Sequence, residues 1–307
     1  MLAIVVPYYK SKYFGETMLS ISRQTCKDFV LYIGDDASPK SPKDIIDGYT
    51  DKINIVYRRF DENLGGKNLV AQWERCIDLT QGEEWIWLFS DDDSMAETCV
   101  EEFYDTIRKD NNISMCRFTK KSTNRIYGDY FYSTYKKGQT VFSDFLMDCL
   151  DWTNNGVTMP EILFKRSLYD QVGIVDFPLA WGSDKATWME YSFISGFIYN
   201  LESIVYVSFS DVNISGARNA EMLLVKNDIE IKNSVYVKGL LKRIVKKYPD
   251  IDILEIKDKY ADKILYKIRK VPICKRMRYL KYLIPFVRTK KSIVNVVKSL
   301  FKREKNN

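Results

Sequence analysis

Three consecutive carboxylates, Asp91-Asp92-Asp93, directly follow the apolar run Trp85–Phe89. Neighbouring carboxylates repel by roughly 4 kcal/mol per pair at about 4 Å and an effective dielectric of about 20, so this cluster favours a bound cation. Oxygen ligands of this kind suit Mg²⁺ or Mn²⁺. The other interpretation is that the aspartates cap the following helix, where acidic side chains are also favoured. The run alone leaves both open.

A second candidate for chemistry is Asp184, at the start of a predicted helix. The sequence contains no histidine, which excludes histidine acid/base catalysis, histidine-based triads and zincin-type sites. Proton transfer would therefore fall to carboxylates. Asp184 is one such carboxylate, and a plain helix cap is its other interpretation. The six cysteines are scattered without zinc or redox spacing, and we expect buried, reduced thiols.

The first third of the chain must position these residues. Short apolar runs alternate there with helical patterns, which predicts a parallel sheet covered by helices. The acidic groups follow strand carboxyl ends, where ligands bind in open α/β sheets. The predicted strands are Ala3–Tyr8, Phe29–Ile33, Asn54–Tyr57 and Trp85–Phe89, and the predicted helices are Glu16–Gln24, Asn68–Leu79 and Ser94–Lys109.

The pattern becomes less regular after this part. Residues 119–140 are polar and predict an exposed loop or hairpin. We expect helices at Phe142–Leu150, Glu161–Gln171 and Lys185–Ser195 and a last buried strand at Ile204–Phe209. The predicted organisation is a first domain over 1–219, in two halves (1–110 and 111–219), followed by a basic helical C-terminal extension over 220–307.

Three further motifs precede the aspartates in order, Val5–Lys10, Ile33–Ser38 and Asn63–Gly66, each about one strand-helix unit apart. With them, the sequence closely resembles the family 2 glycosyltransferases of the GT-A fold, over approximately residues 1–215. The resemblance implies a Rossmann-like α/β fold with a mixed, mainly parallel sheet flanked by helices. It makes 1–219 the catalytic domain, with 1–110 as the nucleotide-sugar-binding half and 111–219 as the acceptor half. It also implies inverting, metal-dependent transfer from a nucleotide-diphosphate sugar to a saccharide or lipid-linked acceptor in bacterial cell-surface polysaccharide synthesis.

The resemblance also assigns roles to individual residues. Asp91 and Asp93 would bind Mn²⁺ or Mg²⁺, Asp92 would contact the donor sugar or ribose, and Asp184 would be the base. A UDP-sugar is favoured because a carboxylate can accept a hydrogen bond from a pyrimidine imide N–H. The remaining expected nucleotide-sugar contacts are Pro7, Tyr8, Tyr9, Asp35, Asp36, Asn63, Gly65 and Lys67, and the expected acceptor platform is Trp181.

Two departures from the family pattern bear on the donor and the base. Many members follow the Asn-x-Gly loop with Ala-Arg-Asn, whereas this chain has Lys67-Asn68-Leu69. Ser183 stands where a glutamate often precedes the catalytic aspartate. A simple turn is the other interpretation of Asp35-Asp36, and a solvated surface lysine is the other interpretation of Lys67.

Charge divides the chain. Residues 1–219 hold 23 Lys and Arg against 32 Asp and Glu, a balance of −9, and residues 220–307 hold 24 against 9, a balance of +15. Basic amphipathic helices in the second part suit an anionic membrane surface, or else pack on the catalytic domain with a solvated face. No nucleic-acid motif is present. We expect a cytoplasmic chain, peripheral on the membrane, because no signal peptide or spanning run is evident.

Two other functions compete with the transferase. A sugar-phosphate nucleotidyltransferase would need a glycine-rich loop straight after the first strand, but no glycine precedes Gly15. A non-catalytic, membrane-docked subunit of a polysaccharide-assembly complex would keep the fold without turnover. The presence of Asp91, Asp93 and Asp184 favours an enzyme over this alternative.

Overall fold

A computed structural model of the chain describes residues 1–10, 12–124, 130–133, 135–150, 156–209 and 219–287, with residues 296, 298 and 300. They divide into two compact units, one within 1–149 and 157–216 and the other within 150–156 and 217–307.

The first unit is built on a sheet that has ten strands among the described residues, in the order β3-β2-β1-β4-β9-β6-β10-β5, with β7 beside β6 and β8 beside β10. The strands are β1 Leu2–Tyr8, β2 Phe29–Asp35, β3 Asn54–Arg59, β4 Trp85–Leu88, β5 Ser94–Met95, β6 Met115–Asn124, β7 Tyr130–Ser133, β8 Gly138–Val141, β9 Ile162–Lys165 and β10 Phe197–Phe209.

The centre of this sheet is parallel, as the sequence predicts. β1 pairs in parallel with β2 and β4, β2 with β3, and β6 with β10. Continuous apolar runs in β2 and β4 are buried along their whole length because helices cover both faces of the sheet. The carboxyl ends of β1, β2 and β4 therefore meet at one edge of the sheet, which we call the C-terminal edge.

Seven helices accompany this sheet in the described residues, and five more follow in the second unit. The first group is α1 Phe14–Ser22, α2 Lys43–Asp47, α3 Leu69–Ile77, α4 Cys99–Ile107, α5 Phe142–Leu150, α6 Arg166–Val172 and α7 Ser183–Ser195. The second group is α8 Ala220–Lys232, α9 Ser234–Lys247, α10 Ile253–Arg269, α11 Ile273–Arg276 and α12 Leu280–Leu283.

The second unit has its own apolar contacts. Leu240 and Ile244 of α9 and Ile264 of α10 are buried, and the rings of Tyr260 and Phe286 pack 4.8 Å apart. Within the described ranges, no helix is both long and apolar enough to cross a membrane.

Two local predictions were wrong, and a third was only partly right. Ser94 and Met95 form β5, paired with Tyr206 and Val205 of β10, before α4 begins. The predicted helix Glu161–Gln171 is instead β9 followed by α6, because a short buried apolar run gives no period that separates strand from helix. The polar stretch from residue 119 includes the predicted hairpin, which β6 and β7 form, but it is not exposed throughout, since Lys120 and Ser122 of β6 are buried. All six cysteines are free thiols, but Cys274 is exposed.

Candidate active site

The three aspartates lie at the C-terminal edge, just beyond β4, and are tied to two other strands. Asp91 Oδ2 accepts hydrogen bonds from the backbone N–H groups of Tyr9 (2.9 Å) and Lys10 (2.8 Å), which follow β1. Asp93 Oδ1 accepts one from Ser208 N–H (2.6 Å) near the end of β10. The structure thus brings the end of the Pro7–Tyr9 segment and the acidic cluster together.

The three aspartates are buried side by side. Asp91, Asp92 and Asp93 are only 4–6% exposed. The pKa of Asp91 is raised to about 6, chiefly by burial and then by the charge of Asp92, against the opposing effects of Lys10 and the two N–H donors. Such a site attracts a cation because a positive charge would relieve both the burial penalty and the mutual repulsion.

The described residues contain no group of three or more His, Cys, Asp or Glu side chains arranged to hold a metal ion. A closed protein cage for a metal is therefore not present in that part of the chain. Mg²⁺ is usually held by one or two carboxylates, with waters and substrate phosphates supplying the other ligands. Carboxylate oxygens such as those of Asp91 and Asp93 are of the type that such a cation binds.

Asp35 and Asp36, at the end of β2, both have protein partners. Asp35 is fully buried; Oδ1 accepts from Ser38 N–H (2.8 Å), and Oδ2 accepts from Tyr57 Oη–H (2.8 Å) and from Arg59 Nη1 (2.6 Å). Asp36 is 4% exposed and also accepts several hydrogen bonds. Asp35 therefore organises the turn after β2, and Asp36 is the member of the pair that faces the next loop.

That loop contains Asn63, Gly65 and Lys67. Asp36 accepts from the N–H groups of Leu64 (Oδ1, 2.7 Å) and Gly65 (Oδ2, 2.9 Å). A Cβ atom on Gly65 would lie 2.6 Å from Asp36 Oδ2, so only glycine permits this approach. Asn63 Oδ1 accepts from Gly66 N–H (2.6 Å), which closes the turn. Lys67 is exposed and pairs with Glu62 at 2.9 Å.

Arg75 is a site residue that the sequence analysis missed. It lies in the last turn of α3, donates to Asp36 and to the carbonyl of Glu62 (2.9 Å), and its guanidinium stacks on Phe60 at 3.9 Å. It supplies a positive charge beside the loop although the expected Ala-Arg-Asn is absent. Its spacing of two helical turns from Asn68, the N-cap of α3, is the signal that could have identified it.

Asp184 is the second residue of α7, which begins after Gly182 in the left-handed conformation (φ 87°). Its Oδ1 accepts from Lys185 N–H at 2.8 Å. Its pKa is raised, chiefly by burial and also by Glu161, against Lys185 and Lys120. Ser183, at the position of the expected glutamate, accepts from Phe177 N–H (2.9 Å) and so fixes the loop before the helix. A carboxyl with a raised pKa suits a general base.

The aromatic residues near α7 have different roles. Trp188 and Tyr191 pack on Phe164 at 5.3 and 5.1 Å and belong to the core. Trp181 is partly buried and directly precedes Gly182, in a segment where Leu179 and Ala180 also have positive φ. Residues 151–155, 210–218 and most of 288–307 lie outside the part of the chain that the structure describes.

A cavity of about 610 Å³ lies elsewhere in the first unit, near the amino ends of β6 and β10. Arg117, in its wall, bonds Asn200 Oδ1 (3.0 Å) and Asp148 Oδ2 (2.7 Å) and stacks on Tyr135. Because these charged groups satisfy one another at the opposite end of the strands, the acidic C-terminal edge remains the candidate active site.

The fold and the acidic C-terminal edge together define the class of GT-A glycosyltransferases. The family model for glycosyl transferase family 2 matches residues 3–173, more than half of the chain. The chain belongs to glycosyltransferase family 2.

The similar proteins agree with this assignment. Glycosyltransferase GlyG of Streptococcus pneumoniae is 25% identical over 192 residues, which are 56% of this chain and 59% of GlyG. The structure of S. aureus TarS 1–349 in complex with UDP-GlcNAc matches with a TM-score of 0.59 at 13% identity. The match covers 97% of this chain and 90% of the TarS chain. Its UDP complex gives 0.53 at 14% identity with the same coverage. Identities this low show the fold alone.

Proposed function

We propose that the protein is an inverting glycosyltransferase that moves a sugar from a UDP-sugar to a saccharide or lipid-linked saccharide in cell-surface polysaccharide synthesis. The observation that carries the proposal is the buried Asp91–Asp93 cluster, tied to the end of β1 in a family 2 chain. The UDP-GlcNAc bound to TarS supports a UDP-sugar donor. The proposed catalytic domain is 1–219, and 220–307 is its extension.

In the proposed donor site, Asp91 and Asp93 hold Mn²⁺ or Mg²⁺, and Asp92 contacts the donor sugar or ribose. A cation bound there would stabilise charge on the departing diphosphate as a Lewis acid. Without it, the three carboxylates would repel the donor by several kcal/mol. The raised pKa of Asp91 supports this assignment because a bound cation would relieve both the burial and the Asp92 charge that raise it.

The nucleobase and ribose are proposed to bind between the end of β1 and the loop after β3. Each carboxylate oxygen can accept two hydrogen bonds, so Asp36 Oδ2, which accepts from Gly65, keeps capacity for a base imide N–H. Tyr9 is 39% exposed beside Asp91 and offers its ring to the donor. The remaining proposed donor contacts are Pro7, Tyr8, Asp35, Asn63, Gly65 and Lys67.

Asp184 is the proposed base. Its carboxylate takes the proton of the acceptor hydroxyl while that oxygen bonds to the anomeric carbon, and the bond from that carbon to the diphosphate breaks on the opposite face. The electron pair of the broken bond leaves with the diphosphate, and the configuration inverts. Trp181, on the same loop and helix start, is proposed to stack against a sugar face of the acceptor.

The test is donor hydrolysis or transfer with Mn²⁺ in the wild type, Asp93→Ala and Asp184→Asn. The matched control is Asp105→Asn, whose side chain is 58% exposed on α4. We expect large losses in the two site variants and none in the control. Equal activity in all four proteins would overturn the proposal. Release of pyrophosphate from a nucleoside triphosphate and a sugar phosphate would instead identify a nucleotidyltransferase.

We also propose that α9 contacts an anionic membrane surface. Lys238, Lys242 and Lys246 are exposed on it next to the exposed apolar side chains of Val235 and Val245, 62% and 52% exposed. Basic residues near such a surface each add roughly 1 kcal/mol of attraction.

Co-sedimentation with vesicles containing phosphatidylglycerol tests the membrane proposal. The protein should pellet with these vesicles and not with neutral ones, and Lys242→Glu with Lys246→Glu should abolish pelleting. Equal behaviour of both vesicle types would contradict the proposal.

A further inference from the structure

A buried ion pair lies next to the candidate base, and the sequence analysis did not identify it. Lys120 of β6 and Glu161, in the 3₁₀ turn Met159–Glu161, have side chains with no exposed surface, and Lys120 Nζ lies 3.3 Å from Glu161 Oε1. Burying two charges is costly, and replacing such a pair with well-packed hydrophobic residues is often neutral or stabilising. The presence of the pair therefore calls for a reason other than stability.

Glu161 is held firmly but incompletely satisfied. Its Oε1 accepts hydrogen bonds from the N–H and, at 3.1 Å, the hydroxyl of Thr158, in a capping box around the 3₁₀ turn. Its Oε2 is buried and has no hydrogen-bond partner among the described residues. A buried carboxylate oxygen without a partner is costly, so the turn fixes a negative charge that packing alone does not require.

The pair lies at the same edge of the sheet as the candidate active site. β9 begins directly after Glu161 and runs antiparallel to β4, so Glu161 lies towards the end at which β4 stops before the aspartates. The 3₁₀ turn packs against β4, β6 and β10, and α7 packs against β6 and β10. The charged groups that act on Asp184 are Lys185, Glu161 and Lys120.

We propose that Lys120 and Glu161 are a positioning pair for the base Asp184, in which the charge of Glu161 strengthens the base and that of Lys120 limits this effect. The inference rests on the proposed function. Neither residue needs to touch substrate, because both act through the electrostatic field at the Asp184 carboxylate. The unpaired Oε2 is then a carboxylate oxygen kept for its charge and not for a hydrogen bond.

The pair has a signature that a purely structural role lacks. Glu161→Gln removes a negative charge and should move the acid limb of the kcat/KM profile about one pH unit lower, at the low end of what a neighbouring charge does. Lys120→Met should move it by a similar amount to higher pH. The double variant should return close to the wild-type profile because both charges are gone.

Two controls accompany these profiles. Lys120→Arg keeps the positive charge, so the acid limb of its kcat/KM profile should lie at the same pH as that of the wild type. Lys165→Met removes a lysine at the other end of β9, paired with Glu84 at 3.4 Å, and should leave the limb unchanged. Thermal melts of all variants are recorded in parallel, and the double variant should be at least as stable as either single variant.

The outcomes separate the two proposals. If Asp184→Asn abolishes transfer but both single variants keep the wild-type limb, the positioning role is wrong and the proposed function stands. If Asp184→Asn retains activity, the proposed function itself fails. Failure of the double variant to fold would also overturn the positioning role, since it would show that the pair is needed for stability.

Discussion

Replacing Gly65 with alanine should weaken donor binding by distorting the loop after β3. The φ of Gly65 is outside the left-handed region, so the requirement for glycine there is steric and not conformational. The new Cβ would lie 2.6 Å from Asp36 Oδ2 and 3.4 Å from Leu69 Cδ1. Because Asp36 is held by Leu64, Gly65 and Arg75, it cannot move aside without breaking those bonds.

The size of the effect follows from these contacts. Overpacking of this kind costs about 1–3 kcal/mol, and a hydrogen bond to a charged group contributes about 1.5–3 kcal/mol. We expect Gly65→Ala to lose about 2 kcal/mol of unfolding free energy and to lower Tm by roughly 4–8 °C. If the same strain acts on the donor site, the Kd for UDP should rise about tenfold or more.

The assay combines thermal melts with calorimetric UDP titration in the presence of Mn²⁺. In a protein that already carries Asp36→Ala, the Gly65→Ala change should lower Tm and UDP affinity little further, because the clashing carboxylate is gone. A Gly65→Ala protein with wild-type Tm and wild-type UDP affinity would refute the steric reasoning. If Gly65→Ala lowers Tm by the same amount in the Asp36→Ala protein as in the wild type, the clash with Asp36 is not the cause of the destabilisation.

Three further predictions follow from other sites. Activity should rise with pH through the raised pKa of Asp184, because only the ionised carboxylate accepts a proton. Asp184→Asn should reduce kcat by about 10²–10⁴ at all pH values, whereas titration with UDP should show unchanged binding. Gly239→Ala, in the interior of α9 with nothing within 4 Å of the new Cβ, should raise the unfolding free energy by about 0.5–1 kcal/mol in urea titrations. The pKa of Glu102 is lowered, because Lys137 and two N–H groups of β10 outweigh the opposing effect of burial. The ionised Glu102 should therefore stabilise the fold at pH 7, and this stabilisation should be lost as the pH falls below 4.5. Glu102→Gln should remove it, which a series of Tm measurements against pH would show.

The central strands could be predicted because their local pattern and their tertiary environment agree. β1, β2 and β4 are continuous apolar runs that any covering layer of helices would bury. β9 and β5 could not be predicted in the same way. Each is short, and its strand character depends on pairing with β4, β6 or β10, far away in the chain.

The candidate site likewise contains residues that could be predicted from the sequence and residues that could not. The acidic cluster and Asp36 follow strand ends, so their common edge could be inferred from the strands. Arg75 and Glu161 enter the site region from a helix turn and a 3₁₀ turn, whose orientation no local pattern specifies. The partners of Asp35 and Asp36 are likewise tertiary contacts. They show that these two carboxylates hold the loop together, in addition to any role in binding the nucleobase of the donor.

Calorimetric titration of UDP into the wild type and Asp93→Ala, each with Mn²⁺ and with EDTA, tests the central claim most directly. The claim is that Asp91 and Asp93 bind the donor diphosphate through a divalent cation. We expect wild-type affinity at least tenfold higher with Mn²⁺ than with EDTA, and no such gain in Asp93→Ala. Equal UDP affinity of the wild type with and without the metal would contradict the claim.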